Sequence, residues 1–183
     1  MPRFKTRDSC PFIPGRLYAA PDGTRNQFRD HAHSWYDGYY MVHFFDPDAN
    51  GHRALQVDDF DALKSYRLIA PEMPSNAGWR LRGRVRRLLS ADAAARAQAV
   101  HEIAALGEGA IPALPWLQET AHFDDIQVED ALGRQTNPRA QARHALEALA
   151  KLPLVGAAIE RLPPVQDIGA RPPRPREPRP RLP

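Results

Sequence analysis

One internal repeat constrains this chain more than anything else in it. The run Arg96-Ala97-Gln98-Ala99-Val100-His101-Glu102-Ile103-Ala104-Ala105-Leu106 returns as Arg139-Ala140-Gln141-Ala142-Arg143-His144-Ala145-Leu146-Glu147-Ala148-Leu149, with seven of eleven positions identical at an offset of 43 residues. Self-similarity at such a period marks supersecondary units that bury their apolar faces against one another. In the first copy Ala95, Ala99, Ile103 and Leu106 fall at i, i+4, i+8 and i+11 and so line one stripe of a helix. Ser90 offers an N-cap, Asp92 places a carboxylate in the first turn, and Gly107 marks the stop. A second helix is expected from Ala110-Ile111-Pro112, since proline is tolerated where first-turn amides have no intrahelical partner, with Ile111, Leu114 and Leu117 as its apolar face. The second copy opens with Pro138 after Asn137 and is expected to run to Leu152, where Pro153 interrupts it. Its partner helix, Leu154 to Leu162, keeps Leu154, Ala157, Ala158 and Leu162, but Gly156 and the flanking prolines mark it as a weak terminal cap.

The offset lies inside the ~40–47 residue period of HEAT and armadillo units. Leu106-Gly107 and Ala110-Ile111-Pro112-Ala113-Leu114 resemble the HEAT repeat family, in which a leucine and glycine close the first helix and an Ala-Ile-Pro-x-Leu pattern opens the second. The resemblance spans about residues 90–162 and implies a helical scaffold that binds proteins, because the family shares packing rather than a reaction. His101 and His144 occupy equivalent positions in the two copies. They point away from the core stripe, and common descent of the repeats accounts for them without a metal.

Two segments around the repeats are candidate contact surfaces. From Trp79 to Leu89 the chain holds Arg80, Arg82, Arg84, Arg86 and Arg87 with no acid between them, while Leu81, Val85, Leu88 and Leu89 follow helical spacing. This predicts an amphipathic helix that packs on the first repeat and shows arginine to solvent, a patch for an acidic protein surface or a phosphate backbone. Between the repeats, Thr120 to Thr136 forms a long loop whose acids include Asp124 and Asp125, a second candidate surface.

Before residue 76 the pattern changes to short aromatic and β-branched runs. Arg16 to Ala20, Trp35 to Phe45, His52 to Val57 and Ser65 to Ile69 read as strands, with one helical turn at Asp58 to Leu63 and turns at Pro21-Asp22-Gly23, Asp37-Gly38 and Asp46 to Gly51. The run Trp35-Tyr36-Asp37-Gly38-Tyr39-Tyr40-Met41-Val42-His43-Phe44 resembles SH3-type and Tudor-type small barrels. On one strand Trp35, Tyr36, Tyr39 and Tyr40 cannot all face inward, so the outward ones are candidate peptide-binding residues. Asp46-x-Asp48-x-Asn50-Gly51 looks like the start of an EF-hand loop, but Val57 stands where the bidentate glutamate belongs, and a hairpin turn needs the same residues. His31, His33, His43 and His52 form the one further cluster that could hold a metal or move protons. Walker, nucleophile-elbow and HExxH patterns are absent from the sequence.

Charge is distributed unevenly. The last twenty residues carry five arginines against two acids, whereas the rest of the chain is nearly neutral, unlike a domain wrapped in nucleic acid. The end of the chain is rich in proline and arginine, including Arg174, Arg176 and Arg179, and favours extended polyproline II that orders against a partner. One cysteine, Cys10, forms no internal disulfide, and no apolar run reaches the ~18 residues of a membrane span, so a cytoplasmic site or an assembled particle is expected. The expected class is α+β: an arm over residues 1–14, a small β-rich, barrel-like domain over 15–75, a HEAT-like module over 76–162, and a Pro/Arg-rich tail over 163–183. The expected role is a non-enzymatic binder of a protein partner, an adaptor or an immunity-type inhibitor, with no cofactor, metal or membrane and with nucleic acid the less favoured partner. A structural subunit of a virion or secretion machine with threading arms is the alternative. A metal-dependent enzyme at His31 and His33 is the lesser one.

Overall fold

The computed structural model describes residues 5–6, 10–34, 37–69, 77–130 and 132–165. Trp35, Tyr36, Arg174, Arg176 and Arg179 lie outside the described residues. The class is α+β, an antiparallel sheet followed by five helices. The sheet is built from β2 (Leu17–Ala19), β3 (Arg25–His33), β4 (Tyr40–Asp46), β5 (Gly51–Val57) and β6 (Arg67–Leu68), in the order β5-β4-β3-β2-β6. It stays open, with β5 and β6 at opposite edges, instead of closing into the expected barrel. β2 and β6 are only three and two residues long, too short to carry a ladder round to β5.

The central strand β3 is an element that periodicity does not reveal. Its residues, Arg-Asn-Gln-Phe-Arg-Asp-His-Ala-His, offer little β-branched or apolar signal, yet it pairs along both edges. A register shift between Phe28 and Asp30 makes Arg29 the extra residue of a β-bulge. Phe28, Val42 and Phe44 are wholly buried on one face, where Cys10 and Phe12 fold across them. The Phe12 ring lies 4.8 Å from Tyr18 and 5.5 Å from Phe44, both edge-on. Cys10 and Phe12, expected in an extended arm, are therefore part of this core, because a large ring so close to the sheet has more apolar area to bury than an arm leaves it.

The helices are α1 (Trp79–Leu88), α2 (Ala93–Ala104), α3 (Leu114–Phe123), α4 (Pro138–Leu149) and α5 (Pro153–Glu160). Both repeated runs are helical, as α2 and α4, and they share one core that includes Ala99, Val100, Ile103, Ala142, Ala145 and Leu149. Several boundaries differ from the sequence expectation. The N-cap of α2 is Asp92, whose carboxylate accepts from the Ala94 amide at 2.9 Å, while the Ser90 hydroxyl accepts from the Asp92 amide instead. The segment Gly107–Ala113 is a 3-10 helix, and α3 starts at Leu114 rather than at Ala110; tighter winding places Ala110 and Ala113 in the core. Helix α4 ends at Leu149 and α5 begins at Pro153. Gly156 lets α5 close on the end of α4, since a Cβ there would meet the Ala150 carbonyl oxygen at 2.7 Å.

A small second sheet, β1 (Lys5–Thr6), β7 (Val128–Glu129) and β8 (Gln135–Thr136), ties the beginning of the chain to the loop between α3 and α4. Beneath it Val128 packs on Ala93 and Ala97 of α2, so that helix is buried on two sides rather than along one stripe. The large sheet and the helices touch directly. Buried Arg16 pairs with Glu119 and lies over the Trp116 ring, its guanidinium 5.4 Å from the ring centroid. Gly15, with φ of +79°, sits so close to Phe123 that no side chain fits there. Among the described residues no helix is long and apolar enough to cross a membrane.

Candidate protein-binding surface

Helix α1 shows best how sequence sets a surface here. Leu81, Val85 and Leu88 are buried in the helical core, and their spacing turns Trp79, Arg80, Gly83, Arg86 and Arg87 outward. Trp79 opens the helix and is 79% exposed, the most exposed large apolar side chain among the described residues. The Arg80 guanidinium stands 5.3 Å from the Trp79 ring centroid, within cation–π range. Arg80, Arg86 and Arg87 are exposed, while Arg82 and Arg84 are half-buried at the flanks. Arg87 donates to Glu102 of α2 at 2.8 Å, and Arg84 Nε lies 3.7 Å from the same carboxylate. Arg86 and Arg87 also sit in the last turn, where cations complement the helix dipole.

Gly83 lies at the middle of this outward face. Among the described residues a Cβ built there meets nothing within 4 Å, and the residue has ordinary helical geometry. Glycine inside a helix is less stable than alanine by ~0.5–1 kcal/mol, and no packing among the described residues offsets that here. The residue spacing puts Trp79 and Arg80 one turn before it and Arg86 and Arg87 one turn after it. The sequence marks the arginines of this patch. Trp79 and Gly83 become readable as part of it only on a helical projection, once the buried side is known.

The other candidates fare differently. Asp124, expected on an exposed acidic loop, is 1% exposed and is removed from the surface set. Its carboxylate takes Arg96 Nε at 2.6 Å and Nη2 at 2.9 Å, while Arg96 Nη1 donates to the Ser90 and Ala91 carbonyls at 2.8 and 2.9 Å. Asp125 is exposed but pairs with Arg139 at 3.2 Å. Arg96 and Arg139 are the equivalent first residues of the two repeats, so the repeat clamps consecutive acids of its own loop. The sequence shows the two repeated arginines and the two adjacent aspartates, and nothing in it says that they pair. Tyr40, expected as a ligand-facing residue, packs against the sheet core with its ring 4.6 Å from Phe60 and 4.7 Å from His33, tilted to both. Tyr39 is half-buried in the turn, its carbonyl accepting from the Ser34 amide.

Strand alternation divides the histidine cluster. His31 and His33 stand opposite Val42 and Tyr40 on the core face, whereas His43 stands opposite Asp30 on the reverse face and hydrogen-bonds to it. His52 is on that reverse face too, its ring 5.4 Å from Phe45. The four rings therefore do not converge, because side chains one residue apart on a strand leave opposite sides. Among the described residues no group of three or more His, Cys, Asp or Glu side chains could hold a metal. Asp46 to Gly51 is the β4–β5 turn, with Asp46 accepting from the Asp48 and Ala49 amides and Asp48 paired with Arg25. The Arg25 bond holds the Asp48 carboxyl below its usual range.

The surface of α1 thus joins an exposed aromatic, arginines and a side-chain-free notch, and offers no nucleophile or proton-transfer pair. No protein-family model matches the chain, and neither a curated protein nor a solved structure matches it.

Proposed function

We propose that this chain is a non-catalytic protein-binding module, a short HEAT-like helical scaffold that engages its partner with the outer face of α1. The observation that carries the reading is Trp79, 79% exposed beside Arg80 on a helix without acidic residues. Tryptophan and arginine are among the side chains most enriched at the residues that dominate protein interfaces, since the indole buries a large, rigid surface and the guanidinium offers a planar fork of donors. The helices behind α1 give it a rigid support, because Leu81, Val85 and Leu88 share one core with α2, α3, α4 and α5. An adaptor or inhibitor role agrees with this arrangement better than catalysis, which would need convergent groups in a cleft.

The test is comparative affinity capture with the full chain as bait. A variant carrying Trp79→Ala, Arg80→Glu and Arg86→Glu is run beside the wild type, with circular dichroism and Tm checking that both are equally folded. A protein retained by the wild type and lost by the variant supports the reading. Retention of the same proteins by both forms refutes it.

A further inference from the structure

We infer that the partner presents an acidic segment whose backbone crosses α1 at Gly83, an inference that rests on the binding face proposed above and specifies its occupant. Among the described residues, the two structural reasons for glycine seen in the other helices are missing at this position. Gly156 has a neighbouring carbonyl that excludes a side chain, and Gly107 has a positive φ of 55°, but Gly83 has neither. Its missing Cβ leaves a notch on the outside of the helix, which is what allows a second backbone to approach closely.

The notch is framed by Trp79, Arg80, Arg86 and Arg87. Such a frame suits a chain with carboxylates to meet the guanidinium forks and an apolar side chain to lie on the indole. The protein already contains one instance of the chemistry, since Glu102 of α2 takes Arg87 and sits beside Arg84 on one flank of α1, so the partner's carboxylates are assigned to Arg80 and Arg86. A nucleic acid fits less well. Phosphate recognition extends over many successive charges, whereas α1 is ten residues long, or about 15 Å. The arginines of the neighbouring helices are committed elsewhere: Arg96 to Asp124, Arg139 to Asp125, and Arg143 to the Ala121 carbonyl.

The experiment uses the full-length, isotopically labelled chain and three probes: poly-L-glutamate, a peptide of Glu-Glu-Leu repeats, and a single-stranded oligonucleotide. Amide shifts are followed for the wild type, Gly83→Ala, and Arg80→Glu with Arg86→Glu. The Glu-Glu-Leu peptide is expected to move α1 signals, to bind more tightly than poly-L-glutamate, and to weaken as salt rises. Gly83→Ala is expected to raise Tm by about 1–4 °C and yet weaken the peptide about tenfold. A single substitution that stabilises the fold while damaging binding has no explanation in misfolding. Unchanged peptide affinity in Gly83→Ala overturns the crossing point but leaves the α1 face standing. Failure of the peptide to bind, or a preference for the oligonucleotide, overturns the acidic segment as occupant. Shifts confined to other elements overturn the face itself, an outcome that the capture experiment above detects independently.

Discussion

Replacing Asp124 with asparagine removes one charge without changing the size of the side chain. In the native structure this carboxylate is a bidentate acceptor for Arg96, and the two side chains are 2% and 1% exposed. At that depth the solvent screening that reduces surface ion pairs to ~0–1 kcal/mol does not operate. An amide at position 124 would turn an N–H₂ donor toward a guanidinium donor and leave the arginine charge buried without its counterion. Breaking a buried pair in this way costs ~3–5 kcal/mol, out of a total stability of ~5–15 kcal/mol for a typical domain. The consequence extends beyond one contact. Arg96 also holds the Ser90 and Ala91 carbonyls before α2, and the Asp124 carbonyl accepts from the Arg139 amide at the start of α4 at 2.7 Å. Three helices meet at this point. The measurement is urea unfolding followed by helical circular dichroism, together with the thermal midpoint, which should fall by roughly 6–20 °C. Arg96→Met combined with Asp124→Leu should recover more than half of the loss, because paired removal leaves no isolated charge. A loss below about 1 kcal/mol for Asp124→Asn, with an unchanged denaturant slope, would refute the view that this pair is withdrawn from water.

Two further outcomes follow from local geometry. Gly156→Ala should destabilise by ~1–3 kcal/mol in the same unfolding assay, the opposite sign to Gly83→Ala, because the atom it meets belongs to the Ala150 backbone and cannot swing away. Tyr18 is pushed up from 10.0 to about 12 chiefly by burial, its hydroxyl accepting from the Ile13 amide at 2.8 Å. The folded state therefore holds this proton more tightly than the unfolded state. The associated stability is complete below pH 10 and is lost as pH rises toward 12, so the Tyr18 phenol should titrate late in ultraviolet absorbance, and Tyr18→Phe should flatten that alkaline loss.

The helical half was legible in the sequence because its signals are local. Leu81, Val85 and Leu88 announce α1, Asn137-Pro138 announces the start of α4, and the identity of the two repeated runs shows that both take one conformation. A period of 3.6 and a cap are properties of neighbours along the chain, and they need no knowledge of the fold. The turns of the β half, at Asp22-Gly23 and Asp46 to Gly51, are legible for the same reason.

What the sequence could not decide was which polar side chains go inside. Arg96 reads as a solvated helical arginine and Asp124 as a loop acid until α3 ends beside α2 and the two find each other across 28 residues. β3 reads as a polar connection until its neighbours on both edges supply the hydrogen bonds that make it a strand. The histidines look like a cluster until strand alternation sends them to opposite faces, and Gly83 looks like a weakness in a helix until the buried side of α1 shows that it faces out. Periodicity and caps act over a few residues and are written in the chain itself. Burial of a charge and exposure of an indole depend on partners distant in sequence, and only the assembled tertiary structure decides them.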